Sequence, residues 1–87
     1  MDPRVMLEDL EQLAQALGLE IRYESLGDDE FAARSGRCRL RGREVILMDR
    51  RLMVEARIDL LISELKRMDL GGVWVKPYLR ERLDSSE

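Results

Sequence analysis

The chain has 87 residues, a net charge of −3, one cysteine and no histidine. The lack of histidine removes the usual general base at neutral pH and the commonest zinc ligand, and a single thiol cannot form an internal disulfide. We therefore expect one non-enzymatic domain over residues 1–87, frayed at residues 84–87, with no cofactor and no metal.

Hydrophobic segments are short. Runs such as Leu60-Leu61-Ile62 cannot cross a bilayer, and no N-terminal run has the length of a signal peptide. These features predict a cytoplasmic protein. A domain of this size buries only about 60–65% of the surface of its unfolded chain, so its stability would benefit from a homodimer interface.

The N-terminal segment has the signals of a helix. Asp2 can accept hydrogen bonds from free N–H groups at a helix start, and Pro3 suits the first helical position. Gly18 can adopt the left-handed conformation that ends a helix. We predict a helix over about residues 3–17, with an apolar stripe at three- and four-residue spacing: Met6, Leu10, Leu13, Ala14 and Leu17.

A half-buried strand should follow, because Leu19, Ile21 and Tyr23 alternate with charged residues. Residues 25–30 are predicted to form a loop. Residues 31–35 leave two possibilities open, a helical turn or an irregular segment before the next strand.

An arginine-rich β-hairpin is predicted over residues 35–49, in one of two registers. The first, centred on Gly42-Arg43, places Leu40 opposite Val45, whereas the second, centred on Arg41-Gly42, places Leu40 beside an arginine. We favour the first register and expect its wholly apolar face to contact the helices. That face holds Cys38, Leu40, Val45 and Leu47, and the other holds Arg37, Arg39, Arg41, Glu44, Ile46 and Met48.

The rest of the chain predicts two more helices. Asp49 is expected to cap the first, which continues to Gly71-Gly72. Residues 73–75 are predicted to be extended, and Lys76-Pro77 to begin a final amphipathic helix. The order α-β-β-β-α-(β)-α predicts an α+β fold with an antiparallel sheet and helices packed on one face. The longer helix would supply most of the core, through Leu52, Val54, Ile58, Leu61, Ile62, Leu65 and Met68.

The charges are unevenly distributed. Residues 1–33 carry nine acids against two arginines, whereas residues 34–51 carry seven arginines against two acids. Arg37, Arg39 and Arg41 recur at every second position, about 7 Å apart, as a positive stripe that could follow phosphates. The hairpin has no aromatic residue to stack on bases, so we favour pairing within the molecule or with another protein, and keep nucleic-acid binding as the alternative.

Trp74 and Tyr78 form a late apolar cluster. Tryptophan and tyrosine are enriched at interfaces and also serve as core anchors, so both roles stay open. Cys38 has two cationic neighbours, which favour a thiolate, but alternation points them to the other face, and we expect a small buried hydrophobe. The candidate interaction surface consists of Arg37, Arg39, Arg41, Trp74 and Tyr78.

The helix after the hairpin carries Arg57 and Ser63-Glu64-Leu65-Lys66-Arg67. In its order of helix, strand, hairpin and helix, the chain resembles a minimal zincin of the ImmA/IrrE type. Those peptidases carry H-E-x-x-H on that helix, where a glutamate base lies between two histidine ligands. Here Ser63 and Arg67 occupy the histidine positions, and only Glu64 and Leu65 match. The resemblance therefore implies a catalytically inactive zincin-like regulatory protein.

A second resemblance covers most of the chain. Residues 36–42, with the sequence GRCRLRG, and residues 77–81, with the sequence PYLRE, are similar to the G-x-C-R-x-x-G hairpin and P-x-x-R-E helix of small uncharacterised bacterial α+β proteins. This resemblance implies an architecture and no activity. We therefore expect an interaction or accessory module that associates with itself or with another protein.

Overall fold

The computed structural model describes residues 1–25 and 36–84, and it confirms the α+β class. The predictions for residues 26–30, 31–35 and 85–87 fall outside the described residues. The elements are α1 (Pro3–Ala16), β1 (Glu20–Glu24), β2 (Gly36–Leu40), β3 (Arg43–Asp49), α2 (Val54–Leu65) and α3 (Pro77–Asp84).

Helix α1 begins and ends where its sequence predicts. The Asp2 carboxylate accepts a hydrogen bond from the backbone N–H of Arg4 at 2.9 Å, which confirms Asp2 as the N-cap. Gly18 has a φ of +88° just after the helix, a conformation that glycine adopts without a steric penalty.

The sheet is mixed, with the strand order β1-β3-β2. β2 pairs with β3 in antiparallel fashion, but β1 pairs with β3 in parallel, with Ile21 beside Ile46. The expectation of a purely antiparallel sheet was therefore wrong. The strand predicted from the period-two pattern of β1 is confirmed. Alternation, however, indicates only which face a strand buries and carries no information about the direction of the neighbouring strand.

The hairpin has the register that the sequence argument rejected. Its two loop residues are Arg41 and Gly42, and Leu40 lies opposite Arg43. Both loop residues have positive φ, 52° at Arg41 and 81° at Gly42, as in a type I′ turn. This turn matches the right-handed twist of the strands, and that match outweighs the cost of a left-handed arginine. The predicted register was therefore wrong by two residues.

A shift of two residues keeps the alternation of the two faces, although Arg43 joins Cys38 and Leu40 and Arg41 moves into the turn. The face that contacts the helices is, however, the opposite of the expected one. Ile46 and Met48 are fully buried in the core, whereas Cys38 and Leu40 lie on the other side of the sheet. Arg37 therefore shares the helix side with Ile46. Each of the three helices described contributes to this core, through Leu7, Leu10, Leu13, Ala14, Ile58, Leu61, Ile62, Leu65, Leu79 and Leu83.

Helix α2 is shorter than predicted. Its N-cap is Met53, and Asp49 is instead the last residue of β3, fully buried and hydrogen-bonded to Arg51. The helix ends at Leu65, well before the glycine pair. Residues 73–75 do not form a strand. Among the described residues, no helix is long and apolar enough to cross a membrane.

Candidate interaction surface

Arg37 and Arg39 bind the same carboxylate. The Nε of Arg37 donates to Glu44 Oε1 at 2.8 Å, and the Nε of Arg39 donates to Glu44 Oε2 at 2.8 Å. The hydrogen bond from Arg37, and then that from Arg39, lower the pKa of Glu44 below its usual value. The carboxylate is therefore ionised at neutral pH and offsets part of the positive charge on this edge of the hairpin.

Arg41 does not extend this pair into a stripe. It occupies the turn, where its backbone leaves the strand geometry, and it makes no hydrogen bond or ion pair with the residues that the structure describes. Beyond the turn lies a surface pocket of about 620 Å³ on the sheet face away from the helices. Its lining consists of Glu20, Arg22, Leu40, Arg41, Arg43 and Val45.

Trp74 lies on the surface. It is 75% exposed, while its neighbour Val75 is buried in the core. The indole borders a small depression of about 150 Å³ that α1 forms with the segment leading into α3. Trp74 is therefore not a core residue, which was one of the two roles that the sequence left open.

Tyr78 does not share the exposure of Trp74. Its hydroxyl donates to Asp9 Oδ2 at 2.5 Å, and Lys76 Nζ donates to Asp9 Oδ1 at 2.9 Å. The hydrogen bonds from Tyr78 and Lys76 lower the pKa of Asp9, while burial and the Asp9 carboxylate raise the pKa of Tyr78 to about 12. This polar cluster attaches α3 to α1, so the role of Tyr78 in the structure is to join two helices.

A second polar cluster was missed by the sequence argument. The Tyr23 hydroxyl donates to Glu11 of α1, and the Arg57 guanidinium of α2 lies 4.8 Å from the centre of the Tyr23 ring. Burial and the Glu11 carboxylate raise the pKa of Tyr23 to about 12. Each of these side chains comes from a different element, so no local sequence pattern could have indicated that they meet.

Cys38 is a free, half-buried thiol on the side of the sheet opposite the helices. It lies directly opposite Val45 in the hairpin. The expectation that it belongs to the helix-covered core was therefore wrong. The flanking arginines do point to the other face, as alternation predicted.

The residues aligned with the zincin motif lie on α2. Glu64 is buried, and its Oε2 lies 3.8 Å from Nη1 of Arg67. Its Oε1 has no hydrogen-bond partner in the part of the chain that the structure describes. Over the same part of the chain, no three histidine, cysteine or acidic side chains come together as metal ligands would.

Comparisons with family models, with curated proteins and with solved structures found no match.

Proposed function

We propose that this domain is a non-enzymatic interaction module of the cytoplasm that associates with itself and acts as an accessory to other proteins. The observation that carries the proposal is the pairing of Arg37 and Arg39 with Glu44 at the edge of the sheet. Charges that would protect an edge strand from association are here partly neutralised within the molecule. The edge is therefore suited to contact with another polypeptide.

The same pairing weighs against nucleic-acid binding. A phosphate-tracking stripe needs unpaired cations, because the release of counterions from phosphates supplies most of the affinity. Two of the three arginines in the predicted stripe are engaged by Glu44, and the third lies in the turn. Protein contacts are thus better supported than phosphate contacts.

Trp74 adds a second line of support. An indole that is 75% exposed leaves a large apolar surface in water, and tryptophan is the residue type most enriched at interface hot spots.

The non-enzymatic part of the proposal is supported by the absence of histidine from the sequence and by the engagement of Asp9, Glu11 and Glu44 in hydrogen bonds.

Sedimentation velocity across the micromolar range tests self-association. We expect the weight-average mass to rise from monomer to dimer, and a mass that stays monomeric over this range would refute the proposal. Trp74→Ala and Met53→Ala provide a matched pair, because Met53 is similarly exposed, at 72%, but lies before α2. A loss confined to Trp74→Ala would place the interface at the indole and would contradict an interface at the edge of the sheet.

Substitution of Glu44 tests the nucleic-acid alternative. Glu44→Gln frees Arg37 and Arg39, so we expect affinity for a labelled oligonucleotide, measured by fluorescence anisotropy at low salt, to appear or to increase. Glu8→Gln removes an exposed charge from α1 and serves as the control. Tight, salt-sensitive binding by the wild type, unchanged by Glu44→Gln, would instead favour the nucleic-acid function.

A further inference from the structure

The two edges of the sheet are not equivalent. At the β1 edge the carbonyl oxygen of Tyr23 already accepts a hydrogen bond from the Arg50 side chain, at 3.2 Å. β2 pairs only with β3 among the described residues, and no described strand lies beside its second edge. The β2 edge is therefore the better place for another strand to add.

The hairpin register determines which backbone groups of β2 point outward. The residues that flank a two-residue turn form a hydrogen-bonded pair, and such pairs then recur at every second position. Leu40, Cys38 and Gly36 are consequently bonded to β3. The N–H and C=O groups of Arg37 and Arg39 point away from β3 and form the free edge.

We propose that a second copy of this chain adds to the β2 edge in antiparallel orientation, with Cys38 on the two-fold axis. This proposal rests on the self-association proposed above and names its surface. In this register Arg37 lies opposite Arg39 of the second copy, and the two strands exchange four backbone hydrogen bonds. All the outward-pointing groups of both residues are then paired, and the result is a continuous six-stranded sheet.

This register brings compatible side chains together on one face of the sheet and like charges together on the other. On the face away from the helices, Leu40 would lie opposite Gly36 of the second copy, and Leu40 is 41% exposed in the single chain. Glycine has no side chain to obstruct it. On the helix side, arginines would lie opposite arginines, and the Glu44 of each copy lies between its own pair. The dimer should therefore tighten with added salt, in contrast to a phosphate complex.

Cys38 reports on the register. Residues opposite each other at a non-hydrogen-bonded position have Cα atoms about 4.5 Å apart, within the range that a disulfide spans. Copper phenanthroline with dissolved oxygen would remove two electrons and two protons from the two Cys38 thiols and form one sulfur–sulfur bond. We expect wild-type chains to become cross-linked to dimers on a non-reducing gel.

The matched control moves the single thiol two residues along the same face, as Cys38→Ser with Leu40→Cys. In the proposed register the two copies of residue 40 are four residues apart along the strands, about 13 Å, so cross-linking should be about tenfold slower although position 40 is more exposed. Equal or faster cross-linking of this variant would overturn the register. If the control overturns the register and the wild type still sediments as a dimer, self-association is supported and only the register is wrong. If the wild type sediments as a monomer, both the register and self-association are refuted.

A proline substitution tests the edge itself. Arg39→Pro removes an outward N–H that β3 does not use, so the monomer should fold, as circular dichroism can verify. We expect its dimer affinity to fall about tenfold or more relative to Arg39→Ala, because two backbone hydrogen bonds are lost, one from each copy, and the ring obstructs the second strand. Equal affinity of the two folded variants would overturn the proposal.

Discussion

A few polar contacts join side chains that lie far apart in the sequence of this small domain. Asp9 is the clearest case, because it accepts hydrogen bonds from Tyr78 and Lys76 near the other end of the chain. Such a carboxylate is partly removed from water, and the hydrogen bonds from Tyr78 and Lys76 lower its pKa. The contact between α1 and α3 is therefore sensitive to a single hydroxyl group.

Tyr78→Phe removes that hydroxyl and leaves the ring in place. We expect the free energy of unfolding, measured by urea denaturation, to fall by about 1 kcal/mol, because a hydrogen bond to a charged group is lost in a half-buried site. A double-mutant cycle with Asp9→Asn isolates the pair. Additive effects of the two substitutions would show that the hydroxyl and the carboxylate do not interact in solution.

The β-hairpin shows how an element is determined by its turn. Arg41 has a φ of 52°, a conformation that costs most residues with a side chain about 1–2 kcal/mol. The register nevertheless follows this turn, because a two-residue loop with both φ values positive continues the twist of its strands. The hairpin is thus formed at the expense of local strain at Arg41.

Arg41→Asn should relieve this strain, since asparagine tolerates the left-handed region and Asn-Gly is the preferred type I′ pair. We expect the thermal midpoint to rise, with a gain of about 0.5 kcal/mol in the free energy of unfolding. Arg43→Asn, one residue beyond the turn, is the control and should not stabilise. A loss of stability in Arg41→Asn would contradict the turn assignment.

Across the whole molecule, the pKa values of several carboxylates are lowered and those of the tyrosine hydroxyls are raised. Asp9, Glu20 and Glu44 have lowered pKa values, chiefly because of hydrogen bonds from Tyr78, Arg22 and Arg37 respectively. Tyr23 and Tyr78 have pKa values raised to about 12. A group with a lowered pKa stabilises the fold above its unfolded value, and a group with a raised pKa stabilises it below that value.

Stability should accordingly form a plateau between about pH 5 and pH 9, decline below about pH 4 as the carboxylates gain protons, and decline again above about pH 10 as the tyrosines lose them. Chemical denaturation over this pH range measures the profile. Tyr78→Phe should reduce both declines, because it removes one tyrosine and one stabilising donor of Asp9. Increasing stability on acidification would contradict the assigned contacts.

The sequence by itself determined the α+β class and most of the local elements, but not the limits of α2 or the conformation of residues 73–75. Asp2, Pro3 and Gly18 mark the limits of α1 through the chemistry of its own ends, and Ile21 and Tyr23 indicate the buried face of β1. Such signals act between near neighbours, so they are visible in a single sequence.

Only the tertiary structure decided the strand directions, the covered face of the sheet and the contacts of the candidate residues. β3 is the central strand, and Val45, Ile46 and Met48 are all nearly inaccessible, so its pattern could not show which face the helices cover. Glu44 meets two arginines because the turn sets the register, and Tyr78 meets Asp9 because α3 packs on α1. These outcomes depend on contacts between distant parts of the chain, whose energies appear only when the elements pack together.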